Sequence, residues 1–304
     1  MIKTYPKELY YRLTSMIKDI HSIDEKNSLA NIILEHQLGL DISSYILNDE
    51  LTITDADDKK ITEIIHRINQ HEPIQYILSK AYFHGRSFYV NHDVLIPRPE
   101  TEELVDIILK DNPRLPRGLA QNPGSVTPQL KILEIGTGSG CIAITLSKEL
   151  NCSVVATDIS INALAVAQKN VQTFDADVHL VQHDIVKNEP SDHDFFNQRP
   201  LFDIIVSNPP YVLDSEMTQM RRNVLEYEPH SALFVKNSNP LVFYDAISKF
   251  GRDHLKENGR IFFEINEKFG EAVAALLSQH VFSETLVHKD IHSKDRFVSG
   301  IYKK

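Results

Sequence analysis

One stretch narrows the choice of fold more than any other. Leu133-Glu134-Ile135 is an apolar strand that runs into Gly136-Thr137-Gly138-Ser139-Gly140, three alternate glycines, and then into a helix. Glycines are needed there because a side chain would hold the backbone away from a ligand, and because a strand-to-helix turn can demand positive φ. From Lys131 onward, short β-branched runs at 132–135, 154–156, 179–181, 204–206 and 261–265 alternate with amphipathic stretches near 141–150, 160–173, 240–257 and 268–280. Strand and helix in turn imply βαβ crossovers, a doubly wound parallel sheet and a ligand outside the carboxyl ends of its strands. Two closing strands, near 282–288 and 296–302, have only a short link and should pair antiparallel.

Ahead of this α/β region the period is helical. Leu9, Leu13, Ile17 and Ile20, then Leu29, Ile32 and Ile33, then Ile61, Ile64, Ile65 and Ile68 fall at helical spacing, which predicts a small bundle. Between Tyr82 and Ile96 the pattern changes to that of a hairpin or an irregular bridge, and residues 111–129, rich in Pro and Gly, read as a surface loop. The start of the chain mixes Lys3, Lys7, Glu8, Arg12, Lys18 and Asp19 into its apolar set, which fits neither a secretory leader nor a membrane span. Two cysteines without a CxxC pair exclude a disulfide scaffold and suit a reducing cytoplasm. With 42 acidic against 32 basic residues the net charge is -10, so the bulk electrostatics do not attract a polyanion.

The glycine spacing separates two cofactors. G-x-G-x-x-G for a dinucleotide would need glycine where Cys141 stands, whereas G-x-G-x-G fits an S-adenosylmethionine loop. The second strand ends on Asp158, placed to accept from both hydroxyls of a ribose; the competing assignment is a cap for the helix that follows. At the end of the third strand, Asp184 could accept from an exocyclic adenine amine and Ile185 could cover the ring. The fourth strand terminates in Asn208-Pro209-Pro210-Tyr211, whose paired prolines fix φ twice and remove two amide donors. An amide or exocyclic amine nitrogen attacks a methyl sulfonium poorly unless acceptors hold its N–H bonds in a tetrahedral arrangement. The Asn208 carboxamide oxygen and the Pro209 carbonyl would do that, with Tyr211 packed on the planar group. No nucleophile elbow, phosphate-binding P-loop or metal-ligand motif competes.

Further segments carry a resemblance: Glu72-Pro73-Ile74-Gln75-Tyr76-Ile77, Phe83-His84-Gly85-Arg86-Ser87-Phe88, Pro97-Arg98-Pro99-Glu100-Thr101-Glu102, Glu228-Pro229-His230 and the tail from Lys289-Asp290 to Asp295-Arg296-Phe297. With the glycine loop and Asn208–Tyr211, these make the chain resemble the HemK/PrmC glutamine methyltransferases over nearly its whole length. The resemblance implies a class I S-adenosylmethionine-dependent methyltransferase, Rossmann-like, with a mostly parallel seven-stranded sheet and an antiparallel last strand, plus an N-terminal helical bundle. It implies a substrate-binding domain over 1–78, a hairpin-like linker over 79–97 and a catalytic domain over 98–304. The implied reaction is N5-methylation of the glutamine in the Gly-Gly-Gln motif of peptide chain release factors. Gly136, Thr137, Gly138, Ser139, Gly140, Asp158, Asp184, Ile185 and Asn208 would bind the cofactor, and Asn208, Pro209, Pro210 and Tyr211 would hold the glutamine. The expected setting is a cytoplasmic monomer with no direct nucleic-acid contact.

Three departures stand out: Ser79 and Asn266 occupy positions where the family usually has glycine, and Asn237-Ser238-Asn239-Pro240 replaces an Asp-Gly-Leu run. The nearest rival is a DNA adenine-N6 methyltransferase, since Asn-Pro-Pro-Tyr would serve an exocyclic amine equally well. Such an enzyme must extrude a base and neutralise phosphates, and this acidic chain has no basic run to do so. An NAD-dependent oxidoreductase would share the sheet and the ribose carboxylate but not the glycine spacing.

Overall fold

A computed structural model describes residues 1–18, 21–112, 130–187, 189–190 and 196–304. The chain divides into two compact units, Met1–Ser79 with Arg221–Tyr227, and Lys80–Met220 with Glu228–Lys304. The loop read at 111–129 lies outside the described residues from 113 onward.

The first unit holds β1 (Ile2–Thr4), α1 (Pro6–Met16), α2 (Ile23–Leu38), α3 (Ile42–Leu47), β2 (Leu51–Ile53), α4 (Asp55–Ile68) and the single turn α5 (Ile74–Ile77). Local chemistry sets these boundaries. Ser22 caps α2 by accepting from the Glu25 amide, and Gly39 ends it at φ 69. Thr54 and Asp57 form a reciprocal capping box at the start of α4. Of the helically spaced set, Leu9, Leu13, Ile17, Leu29, Ile33, Ile61, Ile64, Ile65 and Ile68 lie in its core together with Leu34, whereas Ile32 is exposed and Ile20 lies outside the described residues. The antiparallel pair β1–β2, three residues each, gave no periodic signal in the sequence.

The second unit opens with the hairpin β3 (Ala81–Phe83) and β4 (Arg86–Phe88), then α6 (Pro99–Asp111), β5 (Lys131–Ile135), α7 (Cys141–Leu150), β6 (Ser153–Asp158), α8 (Ile161–Phe174), β7 (Val178–Asp184), β8 (Glu189–Pro190), β9 (Phe202–Ser207) and β10 (Val212–Leu213). After α9 (Arg222–Tyr227), which belongs to the first unit, it continues with β11 (Phe234–Val235), α10 (Val242–His254), β12 (Leu255–Glu264), α11 (Gly270–Gln279), β13 (Phe282–Lys289) and β14 (Asp295–Tyr302). At the hairpin turn, His84 and Gly85 both take positive φ (48 and 72), the backbone that matches strand twist in a two-residue loop.

The main sheet has the order β13-β14-β12-β9-β5-β6-β7-β8. β12, β9, β5, β6 and β7 are parallel neighbours, and β14 lies antiparallel between β12 and β13. This is the mostly parallel seven-stranded sheet with an antiparallel last strand that the resemblance implied. The two-residue β8 adds an eighth, antiparallel strand at the far edge. Side chains alternate between two cores as the strand period requires: Ile132, Val154, Ile204, Val206 and Phe262 in one, Leu133, Ile135, Ile205, Ile261 and Phe263 in the other. Among the described residues no helix is long and apolar enough to cross a membrane.

Candidate active site

The site is assembled where β5, β6, β7 and β9 end side by side. Gly136, Gly138 and Gly140 all take positive φ (78, 52 and 81). At Gly140 the need for glycine is also steric, because a Cβ would stand 3.1 Å from Ile144 Cδ1 and 3.4 Å from Ala167 Cβ, where α7 and α8 close on the loop. The loop is tied down on both sides. Gly136 and Thr137 donate their amides to the Thr157 carbonyl at 2.8 and 2.9 Å. Asn170, buried on α8, donates to the Ser139 carbonyl at 2.8 Å and to the Tyr89 carbonyl at 2.9 Å, and its Oδ1 accepts from the Tyr89 amide.

Glu134 was not singled out in the sequence. Its buried Oε2 accepts from Thr137 Oγ1 at 2.5 Å and from the Ala143 amide at 3.1 Å. Burial pushes its carboxyl up to about 8, against the two hydrogen bonds, and nearby Asp158 adds to the rise.

Asp158 ends β6 and turns into the loop. Its Oδ2 accepts from the Gly138 amide and its Oδ1 from the Ser160 amide, both at 2.9 Å. The cap of α8 is Ser160, which accepts from the Ala163 amide, so the capping role considered for Asp158 is filled by another residue. Burial raises the Asp158 carboxyl above its ordinary value. One strand over, Asp184 Oδ1 accepts from the amides of Val186 and Lys187. Both carboxylates, Ile185 and Gly136, Thr137, Gly138 and Ser139 line one cavity of about 400 Å³, within the size range of small-molecule and cofactor sites. Asn208, Pro209 and Pro210 line the same cavity, with Arg98 and Thr101. Gly140 and Tyr211 stand outside this lining; Tyr211, with Asn208, Pro209, Leu95 and Leu233, borders a smaller adjoining recess.

Behind Asn208 lies a polar network that the sequence motifs did not expose. Asn208 Nδ2 donates to Thr101 Oγ1 at 3.1 Å, Thr101 Oγ1 donates to Glu264 Oε2 at 2.7 Å, and the Tyr211 hydroxyl donates to Glu264 Oε1 at 2.9 Å. Glu264 is buried, which raises its carboxyl, while these hydrogen bonds and the charge of Arg296 act the other way. Burial and Glu264 together hold the Tyr211 phenol well above its ordinary value. Arg296 is itself fixed by Asp290 at 3.1 Å, which gives the tail segment 289–297 its place in the site. Glu228 explains another segment: its buried carboxylate accepts from Arg98 at 2.6 Å and from the Ile96 amide at 3.2 Å. Asn266, one of the three departures, donates to the Tyr211 carbonyl at 3.3 Å and to Glu216 at 3.0 Å, and so braces the turn after the two prolines. Thr101 lies in the Pro97–Glu102 segment that carries the resemblance, but nothing in that segment points to its partner, and Glu264 belongs to no motif; only packing brings them together.

The chain is similar to known methyltransferases. Residues 8–78 match the family model of the PrmC N-terminal domain, and residues 119–228 that of the methyltransferase small domain. It is 40% identical over 299 residues, 98% of each chain, to the release factor glutamine methyltransferase of Flavobacterium psychrophilum. To that of Bacteroides thetaiotaomicron it is 40% identical over 294 residues, covering 95% of this chain and 99% of the other. Among solved structures, a methyltransferase from Pyrococcus furiosus aligns with a TM-score of 0.48 at 17% identity, covering 79% of this chain and 98% of that one.

Proposed function

The chain belongs to the family of release factor glutamine methyltransferases, and from that premise we propose how its own residues run the reaction. It uses S-adenosylmethionine to methylate a glutamine of a peptide chain release factor. In our reading the target is the N5 nitrogen of the glutamine in the Gly-Gly-Gln motif. The observation that carries it is the convergence of the glycine loop, Asp158, Asp184 and Asn208-Pro209-Pro210 on one cavity.

The residues present fit the cofactor. Gly136 and Gly138, both at positive φ, leave a backbone cradle, and Asp158 presents a half-buried carboxylate to accept from ribose hydroxyls. Asp184 accepts from an exocyclic amine, and Ile185 covers an aromatic ring. When bound, S-adenosylmethionine supplies an electrophilic methyl group on a sulfonium. Asn208 Oδ1 and the Pro209 carbonyl accept the two N–H bonds of the glutamine carboxamide, withdrawing its nitrogen lone pair from the amide π system and aiming it at the methyl group. Such acceptors act mainly in the transition state, where the nitrogen becomes tetrahedral. Tyr211 packs against the planar amide, and the Pro-Pro turn keeps the acceptors rigid.

The first unit holds the body of the release factor while its loop enters the cavity. The protein works as a monomer in the cytoplasm without binding nucleic acid directly. Support for the absence of nucleic-acid contact comes from the charge of -10. DNA adenine-N6 methylation is not favoured by the relatives. Mass analysis of a release factor incubated with this protein and S-adenosylmethionine should find one added methyl group, on the Gly-Gly-Gln glutamine. An unmodified glutamine would overturn the reading.

A further inference from the structure

We infer that Thr101 and Glu264 are positioning residues that set which end of the Asn208 carboxamide faces the substrate. The inference rests on the assignment of Asn208 as an acceptor for the glutamine amide. A carboxamide has a donor end and an acceptor end of nearly the same shape, so packing alone does not choose between them; the hydrogen-bonding partner does. Only one of the two orientations serves the reaction, because a nitrogen that must lose its amide character needs acceptors, and an NH2 group turned toward it would offer donors instead.

The choice can be traced bond by bond. Glu264 accepts from Thr101 Oγ1 at Oε2 and from the Tyr211 hydroxyl at Oε1, so each of its oxygens faces a hydroxyl donor. Thr101 has one hydroxyl proton, and that proton is committed to Glu264. Toward Asn208 it can therefore offer only a lone pair, which selects Nδ2 at 3.1 Å. Oδ1 is thereby turned to the other side of the carboxamide, the side of the proposed glutamine. The polarity of a buried carboxylate, 1% exposed, thus reaches the cavity wall through one hydroxyl. Arg296, pinned by Asp290, supplies the positive charge that favours the ionised form of Glu264. Thr101 comes from the start of α6 and Glu264 from the end of β12, so neither is close to Asn208 in sequence.

Substitutions at two positions perturb the relay differently. Thr101→Val keeps the shape and removes the lone pair, while Thr101→Ser restores it. Glu264→Gln places an NH2 group opposite Thr101 or Tyr211; facing Thr101 it reverses the hydroxyl, which then donates to Asn208 and favours the flipped carboxamide. The measurement is the single-turnover rate with S-adenosylmethionine and release factor saturating, alongside calorimetric affinity for S-adenosylmethionine and a melting curve to establish folding. Thr101→Val should lower the rate about ten- to a hundredfold with cofactor affinity within about threefold of wild type, and Thr101→Ser should recover most of that loss. In an Asn208→Ala background, Thr101→Val should cost less than about threefold more, because the group it orients is gone.

A multiplicative loss in the double variant, or a full rate for Thr101→Val while Asn208→Ala is slow, overturns the positioning role. A full rate for Asn208→Ala would instead sink the acceptor assignment on which it rests. If Glu264→Gln does not fold, the Thr101 variants alone still decide between these outcomes.

Discussion

Asp158 separates two demands made on one carboxylate. It accepts from the Gly138 and Ser160 amides, which shape the loop, and in the proposed complex it also receives the ribose. Removing charge-assisted hydrogen bonds to a ligand costs affinity, so Asp158→Ala should weaken S-adenosylmethionine binding by about 10- to 1,000-fold in a calorimetric titration, with the chain still folded. Unchanged affinity would restrict Asp158 to its loop contacts.

Glu134 allows a prediction in pH. Its folded-state carboxyl at about 8 lies above the ordinary 4.5, so the folded protein binds that proton more tightly than the unfolded chain. The contribution to stability is whole below about pH 4.5 and is lost as pH rises toward 8. Both hydrogen bonds to Glu134 go to Oε2, so Glu134→Gln can keep them while removing the titration. The melting temperature of the variant relative to wild type should therefore rise between pH 6 and pH 9, by the equivalent of about 2–3 kcal/mol at roughly 1.4 kcal/mol per pH unit. A constant difference would mean that Glu134 does not titrate there. The residues that sequence reading selected were those whose chemistry shows in a spacing, such as Gly136 to Gly140 and Asn208-Pro209-Pro210. Thr101 and Glu264 act through a buried contact between distant segments, which no local pattern reports, and the role of Glu134 depends on its burial.

At the scale of elements, legibility followed length and burial. The runs at 132–135, 154–156 and 204–206 fall inside β5, β6 and β9, and the helix expected at 141–150 is α7, because buried β-branched runs and continuous apolar stripes are strong signals. The spacing predicts a helix over 240–257, but α10 stops at His254 and β12 begins at Leu255 with a register shift before Arg260. That irregularity hides the start of the strand, whose first residues, Lys256 to Asn258, lack the continuous buried run seen from Ile261 on. β1 and β2 at three residues, and β8, β10 and β11 at two, are too short to show a period. Ser79 shows why glycine suits its position, for its φ of 52 lies in the left-handed region.

The bracing of the glycine loop by α8 is equally invisible in sequence and can be measured. Asn170→Ala removes two donors and one acceptor from the buried carbonyl of Ser139 and the half-buried backbone of Tyr89. Leaving such groups unpaired should lower unfolding stability by about 2–4 kcal/mol in urea titration, far more than a surface Asn→Ala change. A loss below about 0.5 kcal/mol would show that the loop and the bridging segment hold their shape without this side chain.

For the whole molecule, the division into units does not follow the order of the chain. The sequence placed everything after residue 98 in one domain, whereas Arg221–Tyr227 clusters with the first unit. Its helix α9 has no buried residue, so no apolar stripe announces where it packs. What ties it there are specific contacts, the Tyr227 hydroxyl donating to the Gln70 carbonyl at 2.8 Å and Arg222 Nη1 3.3 Å from His71 Nε2. This changes what a truncation does. Deleting residues 1–79 removes the release-factor-holding unit of our proposal and also strips α9 of its partners, leaving a loose loop inside the remaining unit. The cavity residues all belong to that remaining unit, so S-adenosylmethionine affinity should stay within about tenfold of the full chain. Methylation of intact release factor should fall by at least about a hundredfold, while that of a short Gly-Gly-Gln peptide, which makes no use of the first unit, should fall much less. The ratio of the two rates is the informative quantity, because damage to the catalytic unit lowers both together and loss of a holding surface lowers only the first. Equal losses on the two substrates, in a truncated protein shown by melting to be folded, would mean that the first unit stabilises the enzyme and does not hold its substrate.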